Sequence, residues 1–305
     1  MPPRRPPIRW PNDARIAIIP AIAFETWPSD LGTADSQQNE SRRLPPRNAP
    51  FTRNLASITD REFGERIGVQ RLLDLFEREG VHTTFFVNGR NVERLPELLR
   101  EIKARGHEIG TESYIHDYSY MKTPEAEHED LRKTVAACER ILGERPLGYL
   151  SAGVAPTDAT PRLISQEGYL YWCDLQHEEL PYTLRVDGRE LVALTYMHYI
   201  NDYSTNKPSE RTPRQLLEIW TDTFDWLYRE GEQHPSYMIW GNHPYLSGRP
   251  YRARVLEEFI RYAKGFPGVW FCRAADVARW WKEQYRDAFV EEWPNYYEHL
   301  RPGRS

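Results

Sequence analysis

GVQRLLDLFEREGVHTTFFVNGRNVERLPELLREIKARGHEIGTES, residues 68–113, decides the fold, because helical and strand-like patterns alternate within it. Residues 68–80 and 92–106 carry apolar side chains at helical spacing, and each segment ends at a glycine. Residues 81–89 and 107–113 follow them as short strand-like segments. Strands that alternate with helices predict β-α-β units and a parallel sheet.

The same alternation continues on both sides of this stretch. Residues 15–24, RIAIIPAIAF, form a continuous apolar run, which is typical of a parallel strand buried on both faces. Further strands are predicted at residues 146–151, 169–174, 190–197, 236–243 and 268–272, and helices at residues 123–143, 158–168, 212–231, 252–265 and 273–287. The sequence therefore predicts an α/β fold with about seven parallel strands, and such a sheet tends to close into a barrel.

The chain is expected to form one barrel domain over residues 15–287, preceded by an N-terminal extension at residues 1–14. Residues 28–60 are rich in Pro, Ser, Asn and Arg and predict a long loop or lid, because structureless connections of this length are usually lids, binding loops or disordered segments. Residues 288–305 form a C-terminal tail, which we interpret as either an interface or a strap over the barrel.

The amino-acid composition limits which partners the protein is expected to bind. The net charge of −5 over 305 residues argues against nucleic acid binding. Three widely separated cysteines, Cys138, Cys173 and Cys272, favour a reducing compartment over a disulfide framework. No signal-peptide pattern and no run of about 18 apolar residues is visible. We expect a cytoplasmic protein with a small-molecule substrate and no membrane partner; a homo-oligomer remains open.

Polar side chains gather where the predicted strands end, which is where barrel enzymes place their chemistry. Glu25 follows the first strand, the strand-like segment at residues 107–113 runs into Glu112 and His116, and His243 ends the strand SYMIWGNH. The convergence of carboxylates and imidazoles at one edge predicts an enzyme. Glu25, Glu112 and His243 are the candidate catalytic residues.

A second group of residues near the strand ends is assigned to substrate binding: Trp27, Tyr114, Asp174, Asn201, Asp202, Trp240 and Asn242. Some of them have ordinary structural alternatives. Asp174 could instead cap a helix, and Trp27 and Trp240 could belong to the core.

The motifs also carry a family likeness. Residues 68–109 resemble the central part of the polysaccharide deacetylases, carbohydrate esterase family 4, and residues 146–174 and 242–271 extend the match. The resemblance covers about residues 14–281 and implies a distorted (β/α) barrel. Members of this family carry two aspartates after the first strand and an H-x-x-x-H motif after GHEI. One aspartate acts as a base, while the other and both histidines bind a divalent metal, commonly zinc.

This chain departs from that pattern at the positions of the metal-binding side chains. AFETW offers one carboxylate, Glu25, and Glu112 stands where the first histidine would be, although His116 and His243 match. Glu25, Glu112 and His116 could hold one divalent metal, zinc, manganese or iron, because these ions accept such ligands. Alternatively no metal binds, and Glu25 or Glu112 is a general base with a raised pKa.

These departures resemble a cytosolic branch of the family that includes allantoinases and cyclic imidases, and residues 180–205 are similar to a segment of that branch. The likeness implies hydrolysis of a C–N bond in a small linear or cyclic amide, ureide or imide, with His243 as acid. Two alternatives remain: a carbohydrate N-deacetylase, and a non-catalytic ligand-binding protein on a degenerate barrel.

Overall fold

The computed structural model describes residues 7–27, 55–203 and 212–293. Within them one ten-stranded sheet has the order β10-β6-β7-β5-β4-β3-β2-β1-β8, and β9 also pairs with β1. The strands are β1 (Ile16–Phe24), β2 (Thr84–Val87), β3 (Glu108–Thr111), β4 (Gly148–Tyr149), β5 (Tyr171–Trp172), β6 (Tyr182–Val186), β7 (Arg189–Ala193), β8 (Ser236–Asn242), β9 (Val269–Phe271) and β10 (Val290–Trp293). Every strand pairing is parallel except β6 with β7, so the predicted α/β class is confirmed.

Helices connect most of the strands. They are α1 (Leu55–Phe63), α2 (Val69–Arg78), α3 (Gly89–Arg94), α4 (Pro96–Ala104), α5 (Pro124–Leu142), α6 (Thr160–Gln166), α7 (Pro213–Glu230), α8 (Pro244–Ser247), α9 (Pro250–Lys264) and α10 (Ala274–Gln284). The ends of α5 show why the sequence patterns work: Thr123 caps the first turn and Gly143 adopts a positive φ of 76° just beyond the last. None of the described helices has both the length and the apolar character that a membrane crossing requires.

β1 is the centre of the sheet, and all nine of its residues are buried. Ile16, Ile18 and Ile22 pack into the apolar layer beneath α2, α7 and α9, while Ala17 and Ile19 belong to a second apolar cluster. This division follows from the twofold alternation of side chains along a strand. A strand buried on both faces explains the unbroken apolar run in the sequence.

The barrel closes irregularly between β8 and the chain that follows β7. The main-chain N–H of Thr195 donates to the hydroxyl of Tyr237 at 2.6 Å, and the N–H of Asp202 donates to the carbonyl of Gly241 at 3.0 Å. Single hydrogen bonds of this kind replace a continuous strand ladder here. The fold is therefore the distorted barrel that the sequence predicted.

Two neighbouring strands were not predicted correctly. Residues 182–186 form β6, which the sequence analysis missed, and the strand predicted at residues 190–197 ends at Ala193. β6 and β7 form an antiparallel hairpin whose turn, Asp187-Gly188, has positive φ values of 47° and 76°. Asp-Gly suits such a turn because both central residues of the turn require positive φ.

The prediction of a loop over residues 28–60 is wrong for its last part, since residues 55–60 belong to α1. Ile58 is buried, and Asp60 accepts a hydrogen bond from Arg249 at 2.7 Å, so tertiary contacts stabilise this helix. α1 continues through a π-helical turn at Gly64–Gly68 into α2. Residues 28–54 lie outside the described part of the chain, and the lid remains a prediction there.

Both ends of the described chain contact the barrel. In the region predicted as an N-terminal extension, Ile8 and Trp10 are buried, and the Trp10 indole donates to the carbonyl of Ser236 at 2.7 Å. In the region predicted as a tail, β10 pairs in parallel with β6. Residues 294–305 lie outside the described residues.

Candidate active site

Four adjacent strands, β3, β2, β1 and β8, carry polar residues immediately after their C-terminal ends or at the last position. Glu25 follows β1, Glu112 follows β3 and His243 follows β8, while His116 lies four residues beyond Glu112. Because parallel strands end at a common edge, the four side chains meet there. The structure thus brings together the four residues that the sequence predicted to lie at one edge of the sheet.

The Glu25 carboxylate lies between two imidazoles. Its Oε1 is 3.5 Å from Nδ1 of His116 and 3.2 Å from Nε2 of His243. Oε2 of Glu112 lies 3.0 Å from the same Nδ1 of His116. All four side chains are buried, so these contacts act in a medium of low polarity, where charge interactions are stronger than in water.

Trp27 fixes the orientation of two of these groups. Its indole N–H donates to Oε2 of Glu25 at 2.8 Å, and its ring stacks on the His116 ring with centroids 4.8 Å apart. The guanidinium of Arg61 lies 4.9 Å from the Trp27 ring centroid. The main-chain N–H of His116 also donates to the carbonyl of Thr26 at 2.8 Å. The loop after β3 is thereby tied to the loop after β1.

His243 is held by Asp202. Its Nδ1 donates to Oδ1 of Asp202 at 2.6 Å, and its main-chain N–H donates to Oδ2 at 2.9 Å. The hydroxyl of Ser247 donates to the same Oδ2 at 2.6 Å. With Nδ1 engaged by the carboxylate, Nε2 is the ring nitrogen that faces Glu25.

Charge interactions shift the pKa values of the cluster in opposite directions. Burial acts to raise the pKa of Glu25, but His116 and His243 outweigh it and lower that pKa to about 2. Burial acts to lower the pKa of both histidines, but Glu25, together with Asp202 for His243 and with Glu112 for His116, raises them. Burial, with a contribution from Glu25, raises the pKa of Glu112. The site therefore holds one firmly ionised carboxylate and one carboxyl that takes up a proton more readily.

The donor atoms of Glu25, Glu112 and His116 fit a divalent metal ion. They all lie within 4.8 Å of one another. A metal about 2.1 Å from each ligand holds ligand atoms roughly 3.0–3.5 Å apart, which matches the separations of His116 from the two carboxylates. A metal ligates neutral imidazole, so an ion here would compete with the proton on His116.

A pocket lies beside Glu25. Trp27 forms one part of its wall, and α1, α3 and α8 contribute Arg61, Arg94 and Tyr245. Polar groups that converge in a concave site next to groups of shifted pKa are typical of an active site.

Asp174 is completely occupied by protein donors. Its carboxylate accepts the main-chain N–H of Ser151 at 2.9 Å, the Ser151 hydroxyl at 2.8 Å and the indole N–H of Trp172. Burial raises its pKa to about 7, with a smaller contribution from Glu112. Asp174 therefore holds the chain after β4 beside the cluster, and its assignment to substrate binding stays a prediction.

Two residues that the sequence assigned to substrate binding, Tyr114 and Trp240, contact other parts of the protein. The hydroxyl of Tyr114 donates to Oε2 of Glu93 at 2.6 Å. Trp240 is fully buried and packs edge-on against Trp220 and Phe259, with centroids 4.9 and 4.7 Å away. These contacts place Trp240 in the core, the structural alternative that the sequence left open.

The two predicted asparagines make local hydrogen bonds. The Asn201 amide donates to the Tyr196 hydroxyl at 3.0 Å, and its Oδ1 accepts the Tyr203 N–H at 2.6 Å. The Asn242 amide donates to the carbonyl of Trp240 at 3.1 Å, and its Oδ1 lies 3.0 Å from the hydroxyl oxygen of Ser247. Both residues shape the turns around His243, and a contact with substrate remains a prediction for each.

Sequence reasoning missed Asn88, which follows β2 between the ends of β1 and β3. Its amide donates to the carbonyl of Ser113 at 2.9 Å and lies 3.5 Å from Oε2 of Glu112, while its Oδ1 accepts the Thr26 N–H at 2.7 Å. Asn88 thus joins the two loops that carry the carboxylates. The rule that found Glu25 and Glu112, a polar residue at a strand end, applies equally to VNG at residues 87–89.

The fold and the site define a protein of the α/β barrel class with buried acid–base groups at the carboxyl edge of its sheet. The family model described as Polysaccharide deacetylase matches residues 63–172. A probable polysaccharide deacetylase from Pseudomonas aeruginosa PAO1 is 30% identical with a TM-score of 0.78, covering 90% of this chain and 94% of that one. PuuE allantoinase shows the same identity and TM-score, covering 90% and 93%. A peptidoglycan deacetylase of Helicobacter pylori is 26% identical over 290 residues, 84% of this chain and 92% of the relative.

The chain therefore belongs to the polysaccharide deacetylase family. It is an enzyme of the deacetylase and amidohydrolase type and hydrolyses C–N bonds.

Proposed function

We propose that this enzyme hydrolyses a C–N bond of a small linear or cyclic amide, ureide or imide. The observation that carries the proposal is the buried group in which ionised Glu25 separates His116 from His243. The similarity to PuuE allantoinase over 90% of the chain supports the same substrate class. A pocket bounded by Trp27, Arg61 and Tyr245 suits a small ligand.

Proton transfers follow from the geometry. Glu112 is the proposed general base, because a carboxyl of raised pKa accepts a proton better than ionised Glu25 does. It takes the proton of a water whose oxygen bonds to the acyl carbon. His243, protonated and aimed through Nε2, gives its proton to the leaving nitrogen as the C–N bond breaks. Asp202 holds the His243 ring in the tautomer that this transfer requires.

In the alternative in which a divalent ion is bound, Glu25, Glu112 and His116 would hold it and Glu112 would be a ligand instead of the base. The ion would then polarise the acyl oxygen as a Lewis acid. The remaining roles belong to the protein. Trp27 keeps the Glu25 carboxylate in place through its indole N–H, and Asn88 does so for Glu112.

A substrate panel tests the proposal. Purified protein is offered allantoin, hydantoins, cyclic imides and linear ureides, with and without added Zn²⁺ or Mn²⁺, and ring opening or ammonia release is followed. We expect turnover of at least one small substrate by the wild type and none by Glu112→Gln. The matched control is Glu108→Gln, a second buried glutamate on β3 outside the cluster. Wild-type inactivity towards every member of the panel contradicts the proposal.

Carbohydrate N-deacetylation is the second candidate, favoured by the similarity to the peptidoglycan deacetylase of Helicobacter pylori over 92% of that relative. Acetylated chito-oligomers and peptidoglycan fragments therefore belong to the same panel, with acetate release as the measurement. Activity on these polymers without activity on the small amides would assign the enzyme to this class instead.

A further inference from the structure

Asp202 is held by more contacts than a carboxylate that pairs with one histidine requires. Its carboxylate accepts hydrogen bonds from the main-chain N–H and Nδ1 of His243 and from the hydroxyl of Ser247. Its main-chain N–H donates to the carbonyl of Gly241 at 3.0 Å. Asp202 is thus joined twice to β8 and its loop, once through its side chain and once through its backbone.

The carbonyl of Asp202 has a partner from another element. Nη1 of Arg252, on α9, donates to this oxygen at 3.1 Å. Arg252 is 4% exposed, which is unusual for arginine, because burying a guanidinium is costly unless polar groups receive it. The position of this charge against the backbone of Asp202 points to a role at the site.

A third element fixes the same turn from the preceding side. The buried indole of Trp220, on α7, donates to the carbonyl of Ile200 at 2.7 Å. The turn that carries Asp202 is therefore anchored by α7, β8 and α9 before the chain passes Tyr203. Trp220 and Arg252 both contact the turn that carries Asp202, so an effect of either residue on the reaction can pass through Asp202 and His243.

We propose that Arg252 is a positioning residue: by holding the backbone carbonyl of Asp202, it fixes the carboxylate that orients His243 for proton transfer. Trp220 supports the same turn from α7. Such a role needs a geometry kept within a fraction of an ångström, because small misplacements of a catalytic group reduce rates strongly. The kinetic part of the inference rests on the proposed function, whereas the structural part does not.

The test compares Arg252→Met with Arg254→Met. Arg254 lies on the same helix, but its side chain is 70% exposed and pairs with Glu258 at the surface. Proton NMR of histidine-labelled protein reports the His243 Nδ1–H, whose short bond to Asp202 predicts a strongly downfield signal, assigned by its loss in His243→Gln. We expect this signal to be lost or broadened in Arg252→Met and unchanged in Arg254→Met.

Kinetics on a substrate found in the panel give the second measurement. Arg252→Met should lower kcat roughly 10- to 100-fold with little change in KM, and guanidinium ion should restore part of the loss. The effect should not add to that of Asp202→Asn, because both variants act on the same unit. A merely structural role would instead lower Tm and give additive effects without rescue.

The possible outcomes distinguish a failure of the proposed function from a failure of the positioning role of Arg252. If the wild type is inactive on the whole panel, the proposed function fails, and the NMR signal still decides the role of Arg252. If Arg252→Met does not fold, Arg252→Lys decides, since it keeps the charge but loses the geometry of the guanidinium. A His243 signal that is unchanged in Arg252→Met, or in Arg252→Lys where only that variant folds, overturns the inference.

Discussion

Two glutamates associated with β3 share several properties and differ in their surroundings. Glu108 begins the strand and Glu112 follows it, both are buried, and burial raises the pKa of both. Glu108 accepts hydrogen bonds from Thr84, Tyr171 and the main-chain N–H of Ala275, at 2.8, 2.9 and 3.0 Å. All three donors are neutral groups.

Glu112, at the opposite edge, contacts His116 and interacts electrostatically with Glu25 and His243. Burial and a raised pKa are therefore shared by a structural carboxyl and a site carboxyl. The distinguishing feature is the pair of histidines that interact with Glu112, because proton transfer needs a partner that can change its charge. Glu108 joins β2, β5 and α10, whereas Glu112 belongs to the cluster with His116 and Glu25, where we propose that it acts in the reaction.

The largest expected difference concerns turnover. Glu112→Gln keeps the shape of the side chain but removes the base, and we expect kcat to fall by about 10³-fold or more. Glu108→Gln should leave kcat within about threefold of wild type, because its surroundings do not reach the reacting atoms. Steady-state kinetics with both variants measures the contrast. Equal losses in the two variants would show that the comparison is mistaken.

The free energy of unfolding should depend more on Glu108 than on Glu112, the opposite of the order expected for turnover. Glu108→Ala leaves the hydroxyls of Thr84 and Tyr171 and the N–H of Ala275 without their acceptor, and we expect a loss of about 2–4 kcal/mol in the free energy of unfolding. Glu112→Ala should cost less, because it relieves the repulsion between two buried carboxylates. Urea unfolding curves provide the measurement, and a more destabilised Glu112→Ala is the contrary result.

Metal binding should also distinguish the two carboxyls. Saturating Zn²⁺ or Mn²⁺ should stabilise the wild type by about 2–4 kcal/mol at concentrations well above Kd. The stabilisation should persist in Glu108→Gln and disappear in Glu112→Gln. Thermal melts with and without the ion measure it, and calorimetry in two buffers should record proton release from His116. Equal stabilisation of both variants would place the ion elsewhere.

The smallest expected effect concerns how the stability of the protein depends on pH. The folded-state pKa of Glu108 is raised above 4.5, so its stabilising contribution is complete below pH 4.5 and is lost as the pH rises through the folded pKa. The stability difference between wild type and Glu108→Gln should therefore shrink on going from pH 4.5 to pH 8.

Asp276, in the first turn of α10, serves as a control, because its contribution to stability should depend on pH in the opposite direction from that of Glu108. Burial acts to raise its pKa, but the bonds from Arg273 outweigh burial and lower it below 3.8. Its contribution should be present above that pH and should be lost as the pH falls. A stability difference for Glu108→Gln that grows with pH would contradict the assigned direction.

The sequence predicted which strand-end residues lie together, for a physical reason. A parallel sheet brings the ends of its strands to one edge, so Glu25, Glu112, His116 and His243 could be placed together from strand order alone. The same rule could have found Asn88. It could not give the partner of His243, because Asp202 lies 41 residues away on an irregular turn. Its assignment to substrate contact, which nothing has tested, gives way to an orienting role in our proposal.

The secondary structure was predicted correctly where apolar residues recur at a regular spacing along the sequence. The helices α5, α7 and α9 each carry a start signal and long amphipathic runs, and β1 is continuously apolar. The hairpin of β6 and β7 was missed although Asp187-Gly188 signals it, because the search followed helix–strand alternation. α1 depends on distant contacts such as Asp60 with Arg249, which local pattern does not contain.

β10 has a consequence for engineering. In the described part of the chain it is the outer strand, and it covers the open backbone edge of β6 over Thr183–Val186. A chain shortened to residue 288 would present those N–H and C=O groups to solvent, and exposed strand edges promote self-association. Fusion partners and affinity tags are therefore better attached beyond Trp293, which packs edge-on against Trp172.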